Sequence, residues 1–359
     1  MSEINMQEIQ LPVNYEGSSH WIITSNHGYI PYAQEELRRR YAELKSQIFV
    51  SGEVALMELP RAVQDIWQDM NAEPVIFVRD MFPVQVVVEA VELTTAEQAE
   101  QILVIMQERS GIAFKSMDAV SIHLRRSGKG ADEAEQRSLK SFIKDALERH
   151  GAQVVLQQPQ YIVSIFEHQG NIYAGLATLS NQGSDWPGGA IRFQREVGQI
   201  SRAKFKLLEA ERTLGLDLSA YQHALDIGAA PGGWTSLLLE RGLTVTAVDP
   251  ANMHPSLIDH PQLSIIKGNA GEVAFEPHEF DLLVCDMSWS PKHTAQLVIQ
   301  LLEAVMPGGT VIVTVKLMHK KPLQTIRDCM EMFAEHLQIV RAKQLFHNRD
   351  EITLYMMKY

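Results

Sequence analysis

The stretch Leu225-Asp-Ile-Gly-Ala-Ala-Pro-Gly-Gly-Trp-Thr-Ser-Leu-Leu238 holds the residues whose types and spacing point most directly to chemistry. A short apolar strand, Ala224 to Ile227, runs into a glycine-rich turn and then into an amphipathic helix. Gly228, Gly232 and Gly233 let the backbone turn tightly and come close to a ligand where a Cβ would clash. Thr244-Val-Thr-Ala-Val-Asp249 follows as a second strand. It ends in a carboxylate about 20 residues past the first glycine, the spacing at which an acid can accept hydrogen bonds from ribose hydroxyls. Turn and acid together indicate a nucleoside-bearing cofactor. A dinucleotide is disfavoured, because Ala230 stands at the second glycine position of such turns and Pro231 removes an N–H that a pyrophosphate would use. Three later apolar runs also end in polar residues: Leu263 to Asn269, Phe280 to Asp286, and Thr310 to Lys316. In an open α/β sheet the carboxyl ends of the strands are where ligands bind.

Asp226-Ile-Gly-Ala-Ala-Pro-Gly-Gly-Trp234 is similar to the S-adenosylmethionine (SAM) loop of the cell-division-protein-J-like (FtsJ-like) ribose 2′-O-methyltransferases, and the Pro-Gly-Gly-Trp portion is uncommon outside them. Ser201-Arg-Ala-Lys-Phe-Lys-Leu207 matches the segment that precedes that loop in the same family. The resemblance implies SAM as cofactor, held by Ala203, Gly228, Ala230, Pro231, Gly232, Gly233, Trp234, Asp249, Asn269 and Asp286. The family usually has Asp where Asn269 stands, and Asn keeps an acceptor for the adenine amino group. It also implies a catalytic tetrad of Lys206, Asp286, Lys316 and Glu351, with no metal.

The chemistry explains such a set. A ribose 2′-hydroxyl is a poor nucleophile at neutral pH and must lose its proton as it attacks a methyl group in line, so positioning contributes heavily. Lys316 is the candidate general base. A neutral fraction of it is favoured by burial and by the neighbouring Lys206 cation, and opposed by Asp286 and Glu351. Lys204 is expected on the surface.

Ala342 to Thr353, Val315-Lys-Leu-Met-His-Lys-Lys321 and Val284-Cys-Asp-Met287 resemble the THUMP-containing branch of the family, which methylates a cytidine 2′-hydroxyl of 23S rRNA. The likeness runs more faintly through the N-terminal half. It departs at Ser288-Trp-Ser-Pro291 and in the acidity of that half, which leaves the RNA and the nucleotide open.

The elements that must position these residues follow from periodicity. Residues 1–18 read as a polar leader. Trp21–Ser25, a helix from Tyr32 to Leu44, paired strands within Ser46–Leu59, a helix near Arg61–Met70 and a strand at Pro74–Val78 predict a ferredoxin-like α+β domain over 1–82. A THUMP-like RNA-binding domain is expected over 83–178. It has a strand at Val84–Val91, a helix capped by Thr94 with Glu97 and running to Arg109, a strand at Val120–Arg125 and a helix from Ala134 to His150. Strands at Val154–Leu156, Tyr161–Phe166 and Asn171–Ala177 complete it. Arg125, Arg126 and Lys129 are candidates to touch phosphates. A Gly/Ser/Pro-rich linker is expected over 179–199 and a Rossmann-like methyltransferase domain over 200–359, with helices at Thr294–Val305 and Leu323–His336.

A chain of 359 residues with 45% hydrophobic content can bury two or three cores. Its two cysteines, Cys285 and Cys329, fall in apolar segments, which predicts a reducing compartment without disulfides. The start Met-Ser-Glu-Ile-Asn leads into no apolar core, and no run reaches membrane-spanning length, so a soluble cytoplasmic protein is expected. The net charge of −12 argues at first against an RNA partner, but it divides into −9 over residues 1–184 and −3 over 185–359. Bases cluster around the expected site: Arg192, Arg195, Arg202, Lys204 and Lys206; Lys316, Lys320 and Lys321; Arg341, Lys343 and Arg349. Local potential, more than net charge, guides a phosphate backbone. The expected partner is RNA, with 23S rRNA implied by the resemblance. Two other readings use fewer of these residues: a SAM enzyme acting on a small molecule, and a non-catalytic RNA-binding or assembly factor that retains the fold.

Overall fold

Strand-forming runs rich in Ile, Val and Leu account for three separate sheets. The structure, a computed structural model, describes residues 17–89, 95–128, 133–182, 184–317 and 321–359. Most of the expected leader, Thr94, Lys129 and Lys320 lie outside the described residues. The chain divides into a first compact unit ending at Ala190 and a second, Ile191–Tyr359.

The first unit opens with β1 (Ser19–Thr24), α1 (Ile30–Arg40), β2 (Lys45–Val50), β3 (Val54–Leu59), α2 (Val63–Ala72) and β4 (Asp80–Pro83). The sheet order is β2-β3-β1-β4 with every pairing antiparallel, the split βαββαβ arrangement that the sequence predicts. Trp21 is fully buried and meets Trp67 edge to face at 4.8 Å. The strand expected at Pro74–Val78 lies instead at Asp80–Pro83. The N–H groups of Ile76 and Phe77 donate to the Glu36 carboxylate at 2.9 and 2.8 Å, so a side chain takes the place of a ladder there.

A second sheet is built from β5 (Val86–Glu89), α3 (Ala96–Ser110), β6 (Ala119–Arg126), α4 (Glu133–Arg149), β7 (Gln153–Val154), β8 (Tyr161–His168) and β9 (Asn171–Thr178), in the order β5-β9-β8-β6-β7. Leu103, Met106, Ile143, Leu147 and Val163 fill the core between helices and sheet. The capping box sits one residue later than expected: Thr95 and Gln98 bond each other's backbone N–H.

Arg125 and Arg126 are not free for phosphates. Arg125 donates to Thr24 Oγ1 at 2.8 Å and lies over the Phe166 ring, and Arg126 pairs with Glu167. The stretch expected to begin the linker is packed on this unit. A short helix α5 (Leu179–Gln182) buries Gln182, which accepts a hydrogen bond from Ser164, and the Gly188 carbonyl accepts one from Arg79 at 2.7 Å.

The second unit contains α6 (Lys204–Thr213), β10 (His223–Ile227), α7 (Gly233–Glu240), β11 (Thr244–Val248), β12 (Leu263–Ile266), β13 (Phe280–Cys285), α8 (Pro291–Gln300), β14 (Val305–Lys316), α9 (Pro322–Ala334), β15 (Leu337–Lys343) and β16 (Glu351–Lys358). Its seven-stranded sheet runs β12-β11-β10-β13-β14-β16-β15, parallel except for β16, which is antiparallel to both neighbours. This is the Rossmann-like α/β order expected, with its direction reversing between β10 and β13.

Leu282, Leu283 and Val284 in β13 and Val311, Ile312 and Val313 in β14 are fully buried. Each such side chain contributes roughly 1.5–3 kcal/mol of burial energy. The helix expected at Thr294–Val305 ends at Gln300, and Val305 already belongs to the next strand. Cys285 and Cys329 are buried free thiols, as expected. Among the described residues no helix is long and apolar enough to cross a membrane, and no group of three His, Cys, Asp or Glu side chains is placed to hold a metal.

Candidate active site

Parallel register brings the polar strand ends together. Ile227 pairs with Val248 and with Cys285, Val248 with Ile266, and Cys285 with Val313. Gly228, Asp249, Asp286 and Thr314 therefore follow at one edge of the sheet, on both sides of the switch point where open α/β sheets bind ligands.

The glycine turn after β10 is held from several sides. Gly228 (φ +74°) and Gly232 (φ +113°) occupy the left-handed region, and a Cβ would overlap Met287 at the first and Leu257 at the second. Their neighbours are therefore protein side chains, a contact that spacing did not reveal. Asp249 accepts from the N–H of Ala230 at 3.1 Å and of Ala251 at 2.7 Å, which fixes the turn while leaving lone pairs on both oxygens. The Trp234 indole N–H donates to the Ala203 carbonyl at 2.8 Å and locks the turn onto the start of α6. Asn269 is exposed at the end of β12 and donates to Glu272 at 3.2 Å, so its carbonyl oxygen stays open as an acceptor.

Beneath the turn lies an acid that sequence reasoning passed over. Asp226 is buried and accepts from Thr235 Oγ1 at 2.6 Å. Burial above all, with the charges of Asp286 and Asp249 adding, pushes its pKa up to about 7. The one available signal was an acid inside an otherwise apolar strand.

Four side chains from four elements meet beside this turn. Lys206 Nζ, on α6, lies 3.0 Å from both Asp286 oxygens and 2.6 Å from Glu351 Oε1. Glu351 Oε2 pairs with Lys316 Nζ, its partner across the β14–β16 register. Thr314 Oγ1 donates to Asp286 Oδ1 at 2.7 Å. The order is thus Asp286–Lys206–Glu351–Lys316, with Glu351 bridging two amines. The Glu351 side chain is 2% exposed, while Lys316 at the outer end is 30% exposed. Burial pushes the Lys206 amine down, but the charges of Asp286 and Glu351 outweigh it and its pKa is raised, so Lys206 remains an ammonium.

Lys204 is a correction. It was expected at the surface, yet it is buried, with Nζ 3.2 Å from Glu196 and 2.7 Å from Glu240. It therefore adds nothing to the basic surface. Arg192, Arg195, Arg202, Lys321 and Arg349 are exposed.

Two buried residues that sequence reasoning missed hold the loop before Glu351. Glu209, one helical turn past Lys206, accepts from the N–H groups of Phe346 and His347 and from His347 Nδ1 at 2.7 to 2.8 Å. Asn348 Oδ1 accepts from the Leu345 N–H at 2.8 Å and from Thr353 Oγ1 at 3.1 Å.

Residues 199–358 match the family described as FtsJ-like methyltransferase. The chain is 36% identical over 195 residues to Ribosomal RNA large subunit methyltransferase M of Halorhodospira halophila, covering 53% of this chain and 56% of that one. It is 36% identical over 188 residues to the protein of the same name from Laribacter hongkongensis, covering 49% and 53%. To that of Thauera aminoaromatica it is 32% identical over 244 residues, covering 63% and 66%. The chain thus spans about half the length of the first two of these relatives and somewhat more of the third. The glycine turn, the acids at the strand ends and the lysine–carboxylate chain, set in a seven-stranded sheet, all lie within the part of this chain, residues 199–358, that is similar to the FtsJ-like methyltransferases.

Proposed function

We propose that this protein transfers a methyl group from SAM to a ribose 2′-hydroxyl of large-subunit ribosomal RNA, on a cytidine of 23S rRNA. The observation that carries the proposal is the contact chain Asp286–Lys206–Glu351–Lys316 beside the glycine turn.

SAM, when bound, supplies a methyl group on a positively charged sulfur. The residues present suit it. Asp249 and Asn269 offer acceptors at successive strand ends for ribose hydroxyls and an adenine amino group. The turn from Gly228 to Trp234, anchored on Ala203, offers backbone. Asp286 would offer negative charge to the cofactor's cationic sulfur.

The chain's own part in the reaction is to orient the hydroxyl and take its proton. Lys206, kept charged by two carboxylates, holds Asp286 and Glu351 in place. Lys316, the more exposed amine, is placed to accept the 2′-hydroxyl proton when it is in its neutral form. Glu351 orients that amine from an almost fully buried position. The basic residues exposed on this unit, Arg192, Arg195, Arg202, Lys321 and Arg349, suit a phosphate backbone. The first unit, with its THUMP-like segment at 83–178, supplies RNA affinity in this reading.

The decisive experiment is ribose-methylation mapping of total RNA from cells with and without the protein, alongside transfer of labelled methyl to purified 23S rRNA. One 2′-O-methylated position that disappears with the protein is expected. An unchanged map, together with methyl transfer to a small molecule, would overturn the proposal.

A further inference from the structure

The segments that carry Lys206 and Glu351 also bring together a group of aromatic rings that the proposed chemistry does not use. Phe193 and His347 stack at 5.4 Å between centroids and 26° between planes. Phe205 completes the group, 5.6 Å from Phe193 and 5.4 Å from His347. All three rings are only partly buried. They lie outside the apolar core of this unit, which gathers around Leu207, Leu238, Val284 and Ile312.

Chain connectivity ties the group to the site from two directions. Phe205 immediately precedes Lys206 on α6, and His347 lies four residues before Glu351. The imidazole is held firmly: the buried Glu209 carboxylate bonds its Nδ1 and the backbone N–H of the same residue. A fully buried charge used to orient a partly exposed ring makes a preorganised surface. Exposed Arg192, Arg195 and Arg202 lie along the chain next to Phe193 and Phe205, and Arg349 follows His347.

We infer that Phe193, Phe205 and His347 form a stacking platform for a nucleobase of the single-stranded RNA segment that carries the target ribose. The inference rests on the proposed function. Proteins that read single-stranded RNA splay bases out onto Phe, Tyr, Trp or His faces while cations follow the backbone. A ribose whose 2′-hydroxyl must reach Lys316 in line needs its nucleotide held out of a helical stack. A rigid aromatic face on the segments that carry Lys206 and Glu351 does that without reading base identity.

The test uses the full-length protein with two probes: protein-free 23S rRNA for methyl transfer, and single-stranded oligoribonucleotides each carrying one 2-aminopurine, whose fluorescence falls on stacking. Phe193→Leu keeps an apolar side chain without a π face. It should weaken RNA binding about ten- to a hundredfold, raise KM for RNA, and abolish the quenching. SAM affinity and Tm should stay at the wild-type values. Phe193→Tyr and Phe193→Trp should restore binding and quenching. The platform is overturned if Phe193→Leu equals wild type, or if Tyr and Trp fail as badly as Leu. It is also overturned, with the methyltransferase reading intact, if the wild type methylates rRNA yet quenches no oligonucleotide. A wild type that neither methylates nor binds RNA removes both.

Discussion

Replacing Lys316 separates a base from a bystander, and its consequences can be worked from the contacts. In Lys316→Ala, Glu351 loses one amine but keeps Lys206 at 2.6 Å, so no buried carboxylate is left without a cation. Breaking a buried pair outright costs about 3–5 kcal/mol. Here the lost partner is 30% exposed and the other pairing survives, so the loss of folding stability should be nearer ~1 kcal/mol. SAM affinity should hardly move, because the glycine turn and Asp249 stand on other strands. Loss of a general base lowers the rate about 10²–10⁴-fold, equivalent to roughly 3–5 kcal/mol of transition-state stabilisation. A small effect on folding beside a large effect on rate is the signature. Lys316→Arg sharpens it, since a guanidinium can still pair with Glu351 but does not give up its proton. The assay is single-turnover transfer of labelled methyl to 23S rRNA, with SAM titration and thermal melting of each variant. A Lys316→Arg protein that transferred methyl near the wild-type rate would falsify proton abstraction by this lysine and leave it an electrostatic part at most.

Three other outcomes follow from the structure. Gly232→Val should abolish SAM binding in calorimetry, because φ of +113° and the Leu257 methyl both exclude a branched side chain; undiminished binding heat would show that the turn does not form the cofactor site. Asp226 holds its proton in the folded protein up to about pH 7 but loses it near 3.8 when unfolded, so the stability it contributes is present at low pH and is lost as pH rises through about 7. Asp226→Asn should therefore flatten the dependence of Tm on pH between 4 and 8 and raise Tm at pH 8; identical profiles for variant and wild type would mean the folded carboxyl titrates normally. Residues Ile191–Tyr359 expressed alone should bind SAM but methylate rRNA poorly, while full-length affinity should fall with salt by about 0.7 to 0.9 in log K per log salt for each phosphate contacted. Equal efficiency of the fragment would remove the RNA-binding role of the first unit.

Local patterns made much of this protein legible before any coordinates. The glycine turn after Ile227, the acid ending β11 and the lysine ending β14 are sequence-local features. Backbone sterics and period-two burial act over a few residues, so they leave a readable trace. The βαββαβ order of the first sheet was readable for the same reason. Errors arose where a competing local partner intervened. Glu36 took the N–H groups of Ile76 and Phe77, and moved β4 past the apolar run that looked like a strand. Thr95 capped α3 in place of Thr94 because Gln98 bonds back to it.

The chain by itself determined the parallel sheet, the cofactor turn and the identities of Lys206, Asp286, Lys316 and Glu351 as residues of interest. Only the tertiary structure decided how they act. Lys204 and Lys206 are two residues apart with the same side chain, yet one is buried between Glu196 and Glu240 and the other joins Asp286 and Glu351. Asp226 looks like any acid in a strand until burial raises its pKa, and Glu209 meets its loop partners 137 and 138 residues away. Which amine stays charged and which ring is held still depend on dielectric and on contacts between distant segments, and those arise only when the sheet has formed.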